Sequence, residues 1–331
     1  MKTIFKFATK SVKIILIAFG IFVALIIGII AVFLLAANYK NTHYWKYAAP
    51  GGNIEAHYTA LGPCDVSCVE FDAGNETYQK FEIWYPSEMK DSGAAYPLVI
   101  MANGTGVKAS QYKAVFQHLA SWGFIVAGNE DDNSRTGASS SATLDYLLAL
   151  NADQSSEFYG RIDMDNIGIG GHSQGGVGAI NAVTAQDNGR LYKAIYTAST
   201  TSPYWGQENV FGLEWSYDIS AIHIPCFMVA GTGFADAGTA EDITATEGQG
   251  ICPLWALNES YAAIPAAVPK VMAREVDKDH GDMLHSSDGY MTAWFMYWLK
   301  GDEAAGTAFF GENAELLSNS NWQDASVGGQ P

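Results

Sequence analysis

Residues 166–176 read NIGIGGHSQGG, and no other stretch restricts the fold of this chain as much. An apolar, β-type run (Ile167 and Ile169, with Gly168 and Gly170 between and after them) ends in Gly171-His172-Ser173-Gln174-Gly175. An alanine-rich helical pattern follows from Val177 to Ala185. Strand, G-x-S-x-G and helix, in that order, is the setting of a nucleophile elbow. Such a turn is so tight that side chains at Gly171 and Gly175 would strike the neighbouring strand and helix, and the serine backbone between them is strained. The turn lifts the Ser173 hydroxyl clear of the backbone. The helix N-terminus behind it offers N–H groups and a positive dipole end to a developing oxyanion. In a chain with 34 glycines a G-x-S-x-G also arises by chance; the strand before it and the helix after it are what count against that.

The second constraint lies at the N-terminus. Ile14–Ala37 is a run of 24 uncharged, mostly Ile, Leu, Val, Phe and Ala residues. At about 1.5 Å per residue it spans about 36 Å, enough for a hydrocarbon core of about 30 Å with some tilt. Lys2, Lys6, Lys10 and Lys13 precede it, so the positive-inside rule predicts a cytoplasmic N-terminus and export of everything after Asn38. A cleaved signal peptide is the competing reading, given Leu35-Ala36-Ala37, but a signal h-region is only about 7 to 15 residues long. A buried helix of a soluble protein would need a polar face, which this run lacks.

The formal charge of the whole chain is −17, and the first 37 residues are basic with no acid. Beyond them 14 basic residues face 35 acidic ones, a charge of −21, which excludes nucleic acid and anionic lipid as partners of the exported part. Export permits disulfides. Cys64 and Cys68 in GPCDVSC could bridge locally, Cys226 lies in a predicted core strand and reads as a free buried thiol, and Cys252 is unassigned. No second cysteine pair or His-x-x-x-His spacing accompanies the first pair, so no metal site is expected.

The predicted organisation is a basic tail (1–13), a membrane anchor (14–37), a juxtamembrane linker and start of the domain (38–77), and a catalytic domain (78–331). Residues 38–60 read as the linker itself, because of their glycine and proline breaks. Strands are predicted at 78–86, 97–101, 124–127, 192–197, 225–230 and 270–276, besides the one leading to Ser173. Helices are predicted at 110–122, 142–152 and 289–300. Strands alternating with helices give an α/β fold, a mostly parallel sheet with helices on both faces. Ligands of such sheets bind beyond the carboxyl ends of the strands.

A serine attacks only when a base takes its proton and an acid holds the base in the right tautomer. Three histidines, His223, His280 and His285, follow Ser173. His223 opens a strand, at the wrong end of the sheet. His280, in VDKDHGDM just beyond the last predicted strand, is preferred to His285. The acid should follow the strand 225–230, in GTGFADAGTAED, where Asp236 stands first and Asp242 second; a solvated loop acid is the plain alternative for either. The oxyanion hole needs two backbone N–H groups. Gln174 supplies one, and Thr105, in Asn103-Gly104-Thr105-Gly106 after the strand 97–101, supplies the other. Gly104 lets the backbone approach a substrate closely, although a tight strand-to-helix turn would need the same glycine.

Together the NGTG segment through LASWGFIV, RIDMDNIGIGGHSQGG, and DHGDM followed by YMTAWFMYWLKGD resemble the α/β-hydrolase superfamily of serine esterases. Within it they are similar to the dienelactone-hydrolase-like and cutinase-like polyester hydrolases, over about residues 78–300. The resemblance implies roles for Ser173, Asp236 and His280, with Thr105 and Gln174 at the oxyanion hole, and acyl transfer to water without a cofactor. Thr105 stands where the polyester hydrolases usually carry an aromatic residue. Trp205 is where relatives place an aromatic that lines the acyl pocket, or else it is a packed surface aromatic.

The expected protein is a single-pass, membrane-anchored serine hydrolase of carboxylic esters, acting on small or polymeric esters outside the cytoplasm. The same three residues can also cleave peptides or transfer acyl groups to other acceptors. A catalytically silent binding protein on the same scaffold is the non-enzymatic rival.

Overall fold

The computed structural model describes residues 2–329, with side chains from Phe19 onward. It divides between Tyr47 and Ala48 into two units. The first is one helix, Lys2–Thr42, followed by a 3-10 turn, Tyr44–Lys46. Its part Phe19–Thr42 is long and apolar enough to cross a membrane. Large apolar side chains from Phe19 to Leu35 stand exposed around it, an arrangement that suits a helix whose solvent is lipid. The side chains of Lys2, Lys6, Lys10 and Lys13, on which the predicted orientation rests, lie outside the described residues.

The second unit is built on a sheet of nine strands among the described residues. They are β1 (Val66–Asp72), β2 (Lys80–Pro86), β3 (Tyr96–Ala102), β4 (Ile125–Asn129), β5 (Ile162–His172), β6 (Tyr192–Ala198), β7 (Cys226–Gly231), β8 (Lys270–Glu275) and β9 (Trp322–Gly328). Their order is β1-β2-β4-β3-β5-β6-β7-β8-β9. From β4 across to β8 all neighbours are parallel, and β1, β2 and β9 add antiparallel edges. The chain reverses its direction of travel at β3, so β3 and β5 leave a crevice beyond their carboxyl ends, where Ser173 emerges.

The alternation in β5 shows how sequence sets the two layers. Ile167 and Ile169 turn to one face, into a core shared with Leu144 and Leu147 of the helix Ala138–Ala152 and Ile180 of the helix Gln174–Thr184. Gly168 turns to the other face, where a Cβ would stand 2.9 Å from both Phe295 and Leu299 of the helix Asp288–Lys300. Absence of a side chain there lets that helix lie close, with Trp294 Nε1 donating to Ile195 O at 3.1 Å. Each fully buried large apolar side chain in these layers contributes about 1.5–3 kcal/mol.

Two expectations are corrected. The stretch 38–60 is not a linker: residues 38–42 continue the first helix, and Asn53–Thr59 is a helix of the second unit. The folded unit starts at Ala48, inside the stretch 38–77 expected to hold the start of the domain. The cause is a carboxylate clasp. Glu55, almost fully buried, accepts from Gly51 N (2.7 Å), Gly52 N (3.3 Å), Asn319 Nδ2 (2.8 Å) and Trp322 Nε1 (2.8 Å). Glu315 in turn accepts from Ile54 N, Glu55 N and Tyr290 OH. Lastly, all four cysteines are free thiols. Cys68 sits in β1 opposite Trp84 while Cys64 Sγ points to Glu88, so the extended strand carries the two apart. Cys226 is a fully buried thiol in β7, as expected.

Candidate active site

Ser173 stands between β5 and the helix Gln174–Thr184 at φ 59°, ψ −124°, a positive-φ backbone that serine adopts only under constraint. Its N–H donates to Ala198 O of β6 (2.9 Å), and its own carbonyl accepts from Gly176 N (2.9 Å). A Cβ on Gly171 would lie 2.0 Å from Gly175 O, and one on Gly175 would lie 2.2 Å from Ala102 O. Both contacts are with backbone, which cannot yield, so the two glycines of the motif are steric requirements.

Three loops at the carboxyl ends of β5, β7 and β8 meet here. Ser173 Oγ lies 2.9 Å from His280 Nε2, and His280 Nδ1 lies 2.7 Å from Asp236 Oδ1. A carboxylate only accepts, so Nδ1 carries the hydrogen and Nε2 is free to accept from the serine hydroxyl. Asp236 is fully buried in the turn Phe234–Ala237, while Asp242 is exposed and is held by Thr244. His285 lies in the turn Met283–Ser286, and His223 is exposed before β7. Of the sequence candidates, the structure therefore joins Ser173, His280 and Asp236 in one hydrogen-bonded line.

Three supports of this line were not visible in the sequence. The Asp279 carboxylate accepts from His280 N (2.8 Å), Asp236 N (2.9 Å) and Ala235 N (3.1 Å), tying the loop of His280 to that of Asp236. Burial alone would raise its carboxyl, but those three N–H donors outweigh it and hold Asp279 below the usual range. His172 Nε2 donates to His280 O at 2.7 Å, its ring 4.7 Å from that of His280. Burial, and then the neighbouring His280, push the His172 imidazole down to about 4. Ser199, at φ 49°, directs its hydroxyl to Asp236 Oδ2 (2.5 Å), which also accepts from Gly231 N (2.7 Å).

The oxyanion candidates also come together. Gln174 is the first residue of the helix after Ser173, where backbone N–H groups have no intrahelical partner. Its side chain accepts from Ser134 N (2.9 Å) and donates to Thr105 Oγ1 (3.3 Å). Thr105 is exposed. Gly104 is buried, its N–H donates to Tyr112 OH (2.9 Å), and a Cβ would stand 2.9 Å from that same oxygen. The close approach seen at it is to Tyr112. Trp205 is half-buried, its Nε1 donating to Gly250 O (3.0 Å) and its ring stacked on Phe211 at 4.8 Å. Among the described residues no group of three or more His, Cys, Asp or Glu is placed to hold a metal ion.

The PET hydrolase-like family model matches residues 48–233, more than half of the chain. The chain belongs to the PET hydrolase-like family. The match starts where the second unit starts and runs through β7, covering the elbow and the NGTG segment. A search of curated proteins finds no match. PET hydrolase-like membership makes the second unit an α/β-hydrolase and the protein an ester hydrolase by family.

Proposed function

We propose that this protein is a serine hydrolase of carboxylic esters, held in a membrane by its N-terminal helix with the hydrolase unit outside the cytoplasm. The observation that carries the reading is the continuous line Ser173 Oγ, His280 and Asp236, with contacts of 2.9 and 2.7 Å. Ser173 Oγ attacks the ester carbonyl as His280 Nε2 takes its proton. Negative charge grows on the carbonyl oxygen, and the N–H groups of Gln174 and Thr105 receive it. His280 returns the proton to the departing alcohol, which leaves an acyl group on Ser173. A water molecule, deprotonated by the same imidazole, then releases the acid and restores the hydroxyl. Asp236 keeps Nδ1 protonated and offsets the charge of the transient imidazolium.

Membrane anchoring draws on a further feature of the first unit. Tyr39 and Lys40 in the last turn of the apolar helix are followed, in and after the 3-10 turn, by Tyr44, Trp45, Lys46 and Tyr47. Tyr39 stacks on His43 at 4.1 Å, and Lys46 Nζ donates to the Tyr39 hydroxyl. Aromatic and basic side chains at the end of an apolar helix suit the headgroup layer.

A fluorophosphonate probe should label the full chain at Ser173, and Ser173→Ala should lower ester turnover by about 10⁴-fold or more. Folded Ser173→Ala protein that keeps the parent rate overturns the assignment. A panel of short esters, peptides and thioesters decides the acyl acceptor and donor class. Membranes washed in alkaline carbonate should retain the full chain, whereas a chain starting at Ala48 should be soluble and equally active; release of the full chain by the wash overturns the anchor.

A further inference from the structure

Ser199 follows the last residue of β6 and is fully buried. It is one of five non-glycine residues with positive φ among the described residues, at 49°, next in the site to Ser173 at 59°. Serine gains nothing from a left-handed backbone by itself, which costs on the order of 1 kcal/mol against glycine. That conformation persists because both ends of the residue are engaged. Its N–H donates to Val229 O of β7 (2.7 Å), and its hydroxyl reaches Asp236 Oδ2 (2.5 Å). Oδ1 of the same carboxylate faces His280 Nδ1, so the two oxygens of Asp236 divide between the base and a fixed pair of donors, Ser199 Oγ–H and Gly231 N–H.

We propose that Ser199 is a positioning residue for the reaction: its hydroxyl fixes the plane of the Asp236 carboxylate and so fixes the direction of the His280 imidazole toward Ser173. This rests on the reading of Ser173, His280 and Asp236 as nucleophile, base and acid. A carboxylate held on one oxygen alone can rotate about its Cβ–Cγ bond. With a second donor on the opposite oxygen, the lone pair that meets Nδ1–H keeps one direction. The other ionisable groups around this carboxylate are His280, His172, Asp279 and Cys252. None of them donates to Oδ2; the donors there are Ser199 and Gly231.

Two variants separate positioning from packing. Ser199→Ala removes the hydroxyl and keeps the backbone cost; Ser199→Gly removes both. In the full chain each should lower kcat by about tenfold with KM within twofold, the size expected for losing one hydrogen bond to a charged group. Ser199→Gly should melt no lower than the parent. Overturning results are a parent-like kcat in both variants, or a loss in Ser199→Ala that follows its melting temperature and disappears in Ser199→Gly. The low-field proton resonance of His280 Nδ1–H supplies a readout independent of turnover. It should shift in Ser199→Gly if the hydroxyl orients the acid and stay in place if Ser199 only packs. Parent-like turnover in Ser173→Ala would remove the catalytic reading while this resonance still decides the geometry.

Discussion

The ring of His172 is bonded to the backbone of His280, with Nε2–H reaching the main-chain oxygen at 2.7 Å. The residue preceding Ser173 thereby holds the loop that carries His280. Its imidazole, pushed down to about 4 by burial and by the adjacent His280, is neutral at neutral pH. His172→Phe should lower kcat by about tenfold, the worth of one such bond, and leave KM unchanged. The depressed pKa also fixes the sign of a stability effect. An unfolded histidine takes up a proton near pH 6.5 and the folded one only near 4, so this contribution is complete above about pH 6.5 and is lost as pH falls toward 4. Melting temperature against pH, parent beside His172→Phe, should converge across that acid window.

A second buried histidine acts in the opposite sense. His118 Nδ1 lies 2.7 Å from Asp288 Oδ2, and Nε2 faces Thr59 O and Ala60 O at 3.0 and 2.9 Å. All three partners accept, so both ring nitrogens carry hydrogen and the ring is an imidazolium. Burial opposes that charge, but Asp288 and the two carbonyls outweigh it and hold the pKa above the ordinary value. The contribution is complete below about pH 6.5 and disappears as pH rises through the folded value. His118→Leu should cost about 3–5 kcal/mol by leaving Asp288 buried without its counter-charge. Adding Asp288→Asn should recover part of the loss, measured by denaturant unfolding of the chain from Ala48.

Two pairs of variants decide the catalytic assignments. Asp236→Asn should lower kcat by about 10⁴-fold through the wrong imidazole tautomer, while Asp242→Asn stays within about twofold of the parent. His280→Ala should match Ser173→Ala, and His285→Ala should retain most of the activity. Initial rates on a nitrophenyl ester check all four; a silent Asp236→Asn in folded protein would reassign the acid.

The elbow offers a steric test. A methyl group at position 175 would stand 2.2 Å from Ala102 O. Gly175→Ala must therefore push the helix Gln174–Thr184 off the end of β3, at a cost of about 1–3 kcal/mol or more. Both the melting temperature and fluorophosphonate labelling at Ser173 should fall together.

What the sequence made legible follows from local sterics and period. The glycines at 171 and 175 leave one way to pass from strand to helix, and PLVIM and FIVA can only be strands buried on both faces. Asp236 stood out because it is the first carboxylate after the strand 225–230. The helix Asn53–Thr59 was not readable, because Glu55 owes its burial to Asn319 and Trp322, more than 260 residues away. β1 and β9 escaped notice as half-exposed edge strands with weak alternation. Gly104 was ambiguous, because a glycine facing Tyr112 and one facing a substrate look alike in one dimension. Ser199, His172 and Asp279 carry no local signature, since each matters through a partner on another strand's loop.

The Glu55 clasp has a topological consequence. By seizing Asn319 and Trp322, it pins the entry of the hydrolase unit to the start of β9. Two stretches more than 260 residues apart thus share one buried acceptor, so neither can come loose without stranding the polar groups of the other.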